Sequence, residues 1–332
     1  MKVVITGGTG FIGLNIGRAL VRRGTLTGPS GAQEPIDSIV LFDAVTPPER
    51  PSGLDDRVSI VAGDISDRDT VFGLVDRDDT SVFHLASIVS GHGEQDFDLA
   101  LKVNLDGGRH VLEALRARAG SPRLVFASSI AVFGGAAMPD VVGDDTKQTA
   151  RTTYGVTKTI MELLINDYTR KGFLDGRSAR LPTIIIRPGK PNAAASSFCS
   201  GVFREPLGGQ ECILPVTRDT QMPLLGYRNT VAGFIGLHEL AADALGDDRA
   251  VNLRSRPYTV VEMVAALERV AEANRIPLGP VIDRPDPQIQ AIVRTWAAKA
   301  DDSRAQALGL PIDESLDRVV QDYIDDFLKP AA

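Results

Sequence analysis

The chain has 332 residues, 36 Lys plus Arg against 43 Asp plus Glu for a net charge of −7, and 43% hydrophobic and 24% charged residues. This globular composition excludes an unstructured chain, and the length suits two lobes that each bury a core. The acidic balance excludes sequence-independent binding to nucleic acid, which needs surplus cations to displace counterions from phosphate, and no run approaches the roughly 18 apolar residues of a membrane span.

In chain order, short β-branched runs at 2–5, 39–42, 58–61, 81–85, 123–127 and 183–187 predict six strands. Apolar residues at helical spacing predict helices over 11–21, 100–118 and 154–170, so strand and helix alternate. That alternation predicts an α/β fold, a Rossmann-like doubly wound parallel sheet. The stretch 24–35, rich in Gly, Thr, Ser and Pro, predicts an enlarged surface loop. Beyond Pro188 the period lapses, and 189–209 predicts a shaped loop region. Helices follow over 230–245, over 257–274 entered through Pro257 and Thr259, and over 316–328. The expected division is a sheet domain over 1–188, with helix 230–245 packing back on it, and a smaller, partly helical lobe over 189–332. Cys199 and Cys212 are too few for a disulfide framework and lack zinc spacing; no metal is expected, Cys199 reads as a small buried hydrophobe, and a reducing cytoplasm fits. The lone Lys2 and the short run after it do not make a signal peptide.

The turn Thr6-Gly7-Gly8-Thr9-Gly10-Phe11-Ile12-Gly13 follows the first strand and opens the first helix. Gly7 permits a tight turn, Gly10 a close approach of backbone to a pyrophosphate, and Gly13 close packing of helix on strand. Phe11 and Ile12 lie in the first helical turn, whose N–H groups and positive dipole favour an anion. Asp43, at the end of the second strand, can accept hydrogen bonds from ribose hydroxyls. The absence of Arg or Lys over 43–46 favours NAD over NADP. Asp64 and Ile65, after the third strand, are placed to flank an adenine, although Gly-Asp is also a routine turn.

Tyr154 and Lys158 share one helical face at i, i+4. A tyrosine is a poor base at neutral pH unless a nearby cation stabilises its phenolate, which Lys158 can supply. Ser128 and Ser129 end the fifth strand, where a hydroxyl can meet a reacting oxygen. Combined with His84-Leu85-Ala86, Asn104, Arg187-Pro188 and the closing stretch 303–311, these residues resemble the extended short-chain dehydrogenase/reductase family over nearly the whole chain. The resemblance implies NAD as cofactor, Tyr154 as general acid/base, Lys158 on the cofactor ribose, and Ser129 rather than Ser128 orienting the substrate oxygen. It also implies that Leu85, Ala86 and Pro188 lie beside the cofactor. Asn104 supports the active-site helix or a proton-relay water, with a buried structural Asn as the alternative. Helices 98–118 and 154–170 pair into a homodimer in that family.

Two departures bear on the substrate. Arg187-Pro188-Gly189-Lys190-Pro191-Asn192 replaces the family's usual nucleotide-sugar stretch, and Pro223-Leu224-Leu225 replaces a diphosphate-binding Arg element. A smaller, anionic substrate is expected. The stretch from Arg187 to Phe198, with 204–211, is similar to a subgroup that oxidises the C2 hydroxyl of a four-carbon sugar acid. For its carboxylate the candidates are Arg204 first, then Ser196, Ser197 and Ser200, and more distantly Arg228. His84 reads as packing behind the cofactor. Two other functions stay open: a nucleotide-sugar epimerase or dehydratase with tightly held NAD, and a non-enzymatic dinucleotide sensor.

Overall fold

A computed structural model describes residues 1–190 and 195–329. Seven parallel strands form the main sheet in the order Ala250–Asn252, Asp175–Leu181, Arg123–Ser129, Thr80–His84, Lys2–Thr6, Ser38–Asp43 and Val58–Ala62. Lys2 pairs with Ser38 on one side and with Thr80 on the other, so the first strand is central and wholly buried. Strand order reverses beside it, which opens a crevice at the carboxyl ends of Thr6 and His84. The architecture is the Rossmann-like α/β fold that the alternation of elements predicts.

Both sheet faces are covered. Ile16 and Leu20 of the helix Phe11–Arg23 pack with Phe234 and Leu237 of the helix Tyr227–Glu239 on one face. Val111, Leu112 and Leu115 of Gly107–Arg116 pack with Met161 and Ile165 of Thr153–Arg170 on the other. Tyr227–Glu239 is the helix expected at 230–245; it stops at Glu239, and a short tight turn spans Ala242–Leu245. The expected cut at 188 is crossed again by Ala250–Asn252, which joins the main sheet.

Several expectations change. The sixth strand of the main sheet is Asp175–Leu181. Thr183–Ile185 lies instead in a separate three-stranded sheet, parallel to Gln221–Gly226, which pairs antiparallel with Arg256–Thr259. Asp175-Gly-Arg-Ser-Ala-Arg-Leu hides from a hydrophobic pattern because its buried positions are charged. Arg177 is 0% exposed, and its Nη1 donates to the carbonyls of Leu237, His238 and Leu240 at 2.9, 2.7 and 3.0 Å. Those carbonyls end the helix Tyr227–Glu239, where a cation also meets the negative end of the helix dipole.

The loop expected over 189–209 contains the helix Phe198–Leu207, in which every residue but Glu205 is buried. A helix buried all round shows no amphipathic stripe, and so it reads as irregular. Its Phe198, Val202 and Phe203 share the second core with Met263, Leu267, Val320 and Tyr323. Residues 24–35 form a hairpin, Thr25–Thr27 against Gln33–Pro35. Pro257 lies in a strand, and Thr259 caps Val260–Asn274 through a reciprocal box with Glu262. The helices expected over 100–118 and 316–328 are each interrupted by a wider turn, Leu101–Asp106 and Ile324–Leu328.

Arg177→Ala would leave the carbonyls of Leu237 and Leu240 without their donor, while Asp175 keeps Arg123 and Arg249 as partners. The expected loss is about 1–3 kcal/mol, read as a lower urea midpoint; a change within error would show that the guanidinium is dispensable to the sheet.

Candidate active site

The glycine turn is built as its spacing predicts. Gly7 has φ +66°, and a Cβ there would press on the backbone of Leu85 and Ala86. A Cβ at Gly13 would overlap the Gly7 carbonyl oxygen. Gly10 differs: its φ of −66° suits any residue, it is exposed, and a Cβ would meet only the Gly7 oxygen at 3.2 Å. Packing alone makes little demand for glycine there, and the bare backbone opens the N-terminus of Phe11–Arg23 to an anion. Leu85 and Ala86 border this turn, and their N–H groups donate to Thr6 Oγ1 at 3.2 Å. Asp43 accepts from the N–H groups of Thr9 at 3.2 Å and Ala44 at 2.8 Å. That leaves carboxylate lone pairs for ribose hydroxyls. These residues fit a dinucleotide.

The other expected cofactor neighbours also make contacts within the protein. Asp64 accepts from Ser66 N and Oγ at 2.9 and 2.6 Å, making the routine turn, and Ile65 is buried in the core beside Phe42. Phe11 packs on Tyr227 and Phe327, with ring centroids 5.0 and 6.0 Å away, and Ile12 packs against the core. Pro188 is half-buried in the loop after Thr183–Ile185. His84 Nδ1 shares a hydrogen bond with Thr6 Oγ1 at 2.6 Å, the ring stacks on Phe126, and burial brings its pKa down to about 3. It is therefore a neutral packing group behind the turn. Cys199 is fully buried, and burial pushes its thiol far above the ordinary range.

Thr152 and Glu94 cap the start of Thr153–Arg170, accepting from Gly155 N at 3.1 Å and Thr153 N at 2.8 Å. Any side chain at Gly155 would collide with the Ala131 carbonyl. This glycine lets the helix touch the turn after Ser129, and so brings Tyr154 to Ser129. Sequence reading passed over Gly155, although it stands inside the Tyr-x-x-x-Lys spacing. Ser129 Oγ accepts from Ala131 N at 3.1 Å and hydrogen-bonds Tyr154. Ser128 is fully buried and donates to Glu162, away from the cavity described below. Lys158 Nζ donates to the Ala127 carbonyl at 2.7 Å and lies 5.2 Å from the Tyr154 ring centroid.

Burial raises the Tyr154 pKa, and the Ser129 hydrogen bond opposes that rise. Burial also brings Lys158 down to about 7, against the pull of the Glu162 carboxylate one turn away. Arg180 in turn binds Glu162 at 2.8 Å. This support of Lys158 by Glu162 and Arg180 has no sequence signal, since it joins a helix to a strand recognised only in the fold.

Asn104 spends its hydrogen bonds on protein. Its Oδ1 accepts from Ile88 N at 2.7 Å and Ser87 Oγ at 3.1 Å, and its Nδ2 donates to Ile88 O at 3.1 Å and Thr157 Oγ1 at 3.2 Å. It ties the 87–88 loop to the Tyr154 helix, which favours the positioning role over a water relay.

A cavity of about 290 Å³ joins these groups to the second lobe. Its wall includes Ser129, Tyr154, Ser196, Ser197, Ser200 and Arg204, so the residues expected on the substrate side reach it with the exception of Arg228. Thr183, Arg187 and Trp296 complete the wall without having been singled out for substrate. Arg228 is not brought there: it binds Asp322 and Asp326, each at 2.7 Å. The stretch 191–194, part of the expected substrate loop, lies outside the described residues.

A family model described as the NAD dependent epimerase/dehydratase family matches residues 3–252. A D-erythronate dehydrogenase from Cupriavidus necator is 47% identical, covering 98% of each chain, and one from Haemophilus influenzae is 38% identical, covering 98% of this chain and 99% of that one. The crystal structure of a protein described as the nucleoside-diphosphate-sugar epimerase from Agrobacterium tumefaciens is 38% identical with a TM-score of 0.89, covering 99% of this chain and 94% of that one.

Because the Ser129 hydrogen bond lowers the Tyr154 pKa, Ser129→Ala should raise it and move tyrosinate formation to higher pH. Ultraviolet titration with Tyr154→Phe as reference reads this directly; an unmoved midpoint would show that Ser129 does not act on the phenol.

Proposed function

The chain belongs to the NAD-dependent epimerase/dehydratase family, and from that premise we propose that it oxidises the C2 hydroxyl of D-erythronate to the 2-oxo acid. It is an NAD-dependent dehydrogenase acting on CH–OH groups. The observation that carries the choice of substrate is the cavity: about 290 Å³ lies at the small end of the roughly 300–1,000 Å³ usual for ligand sites. A compact acid suits it better than a nucleotide-sugar. Two relatives with full-length coverage named D-erythronate dehydrogenase support the same reading.

Gly7, Gly10, Gly13, Asp43, Leu85 and Ala86 would hold NAD, which when bound supplies the hydride acceptor. Tyr154, as phenolate, takes the proton from the substrate hydroxyl. Ser129 orients that oxygen and stabilises the charge that develops on it. Lys158, held by the Ala127 carbonyl, lies 5.2 Å from the Tyr154 ring centroid, and in its protonated form it favours the phenolate. Oxidation needs the deprotonated phenol, and burial raises its pKa, so turnover in this direction should increase toward alkaline pH. The sensor reading loses ground because Ser129, Tyr154 and Lys158 all stand together.

The partner is a small anionic molecule, and the chain pairs with a second copy of itself. Leu163, 62% exposed, and Val156, 43% exposed, stand seven residues apart on the Tyr154 helix, and the short helix Phe97–Ala100 that contacts it carries Phe97, 59% exposed. That apolar stripe is what the homodimer would cover.

Purified chain supplied with NAD and D-erythronate should produce NADH, and Tyr154→Phe should abolish this while still binding NADH. No NADH from the acid, together with turnover of a nucleotide-sugar, would overturn the assignment in favour of an epimerase or dehydratase. Leu163→Asp should convert the dimer to a monomer by size-exclusion chromatography with light scattering; an unchanged mass would locate the interface elsewhere.

A further inference from the structure

The cavity wall carries two cations, Arg187 and Arg204, and no Asp or Glu among the described residues. The two arginines are not equivalent. Arg204 is buried, its Nη2 pairs with Glu205 Oε1 at 2.6 Å, and its Nη1 donates to the Arg187 carbonyl at 2.8 Å. Its charge is paired with that of its chain neighbour, and each Nη already donates one hydrogen bond.

Arg187 is the reverse case. Its backbone is pinned at both ends, by the Arg204 bond to its carbonyl and by its own N–H donating to Ser200 Oγ at 3.1 Å. Its guanidinium is exposed and makes no hydrogen bond or ion pair among the described residues. A held backbone with an uncommitted guanidinium on a cavity wall lacking carboxylates is arranged for an anion from outside. The guanidinium fork matches a carboxylate through two parallel N–H···O bonds. Ser129 and Tyr154, on the same wall, leave the hydroxyl-bearing carbon to be oriented between them and this anchor.

We infer that Arg187 is the residue that binds the substrate carboxylate, and that Arg204 is a positioning residue that holds Arg187 in place. This rests on the small-acid reading above and adds the residue that selects an acid over a neutral polyol. Arg204, the first candidate from sequence, becomes a strut whose partners are Glu205 and the Arg187 backbone.

The test compares the full-length wild type with Arg187→Ala, Arg187→Lys and Arg204→Ala. Each is assayed with D-erythronate and with its uncharged primary amide, and each is scanned for thermal stabilisation by both compounds with NADH present. Arg187→Ala should raise the KM for the acid by about 10- to 100-fold, leave the KM for NAD unchanged, and erase the preference for acid over amide. Arg187→Lys should restore part of that preference, because the charge returns without the fork. An unchanged acid KM and a retained preference in Arg187→Ala would overturn the inference. So would a folded Arg204→Ala that loses the preference while Arg187→Ala keeps it. If the wild type does not oxidise D-erythronate, the functional reading fails and the thermal scan decides Arg187 by itself. Stabilisation by the acid that disappears in Arg187→Ala supports the clamp, and no stabilisation of the wild type overturns it.

Discussion

One close approach governs the site: the start of the helix Thr153–Arg170 lies directly on the turn that follows Ser129. Only a residue without a side chain at 155 allows it, because any Cβ would occupy the space of the Ala131 carbonyl. From that contact follow the Ser129–Tyr154 hydrogen bond, the placement of Lys158 near the tyrosine ring, and its bond to Ala127 at the end of the same strand. Asn104 and Glu94 tie the neighbouring loop and helix to this seam. The arrangement of these groups therefore depends on a backbone contact.

The second theme is charge taken out of water. Lys158, Glu162, Arg177 and Arg180 are all nearly or wholly buried, and each is held by a carbonyl or an opposite charge. Such groups are costly when left alone and acceptable when their hydrogen bonds are complete. Arg177 uses a helix C-terminus, while Arg180 and Glu162 use each other. Against this background of paired charge, the guanidinium of Arg187 on the cavity wall, without a partner among the described residues, stands out.

Much of this was legible in the sequence. The first strand, the glycine turn and the first helix are local: strand, turn and helix follow one another, and Gly7 and Gly13 are required by backbone geometry within a few residues. Tyr154 and Lys158 were readable because i, i+4 places them together in any helix. The strand Asp175–Leu181 and the helix Phe198–Leu207 were not readable, since the first buries arginines and the second buries every side. Hydrophobic periodicity reports a boundary between oil and water, and neither segment has one.

By itself, then, the sequence determined the fold class, the dinucleotide turn and the tyrosine–lysine pair, because these are set by contacts between residues close in the chain. The tertiary structure alone decided which serine faces the cavity, that Asn104 hydrogen-bonds both the 87–88 loop and the Tyr154 helix, and which cavity arginine has no side-chain partner among the described residues. Ser128 and Ser129 differ by one residue and point to opposite sides of a strand, one to Glu162 and one to Tyr154. Arg187 and Arg204 are the same residue type and differ in burial and in their partners. A residue's type is written in the sequence, but whether its hydrogen bonds are already spent depends on neighbours that only folding supplies.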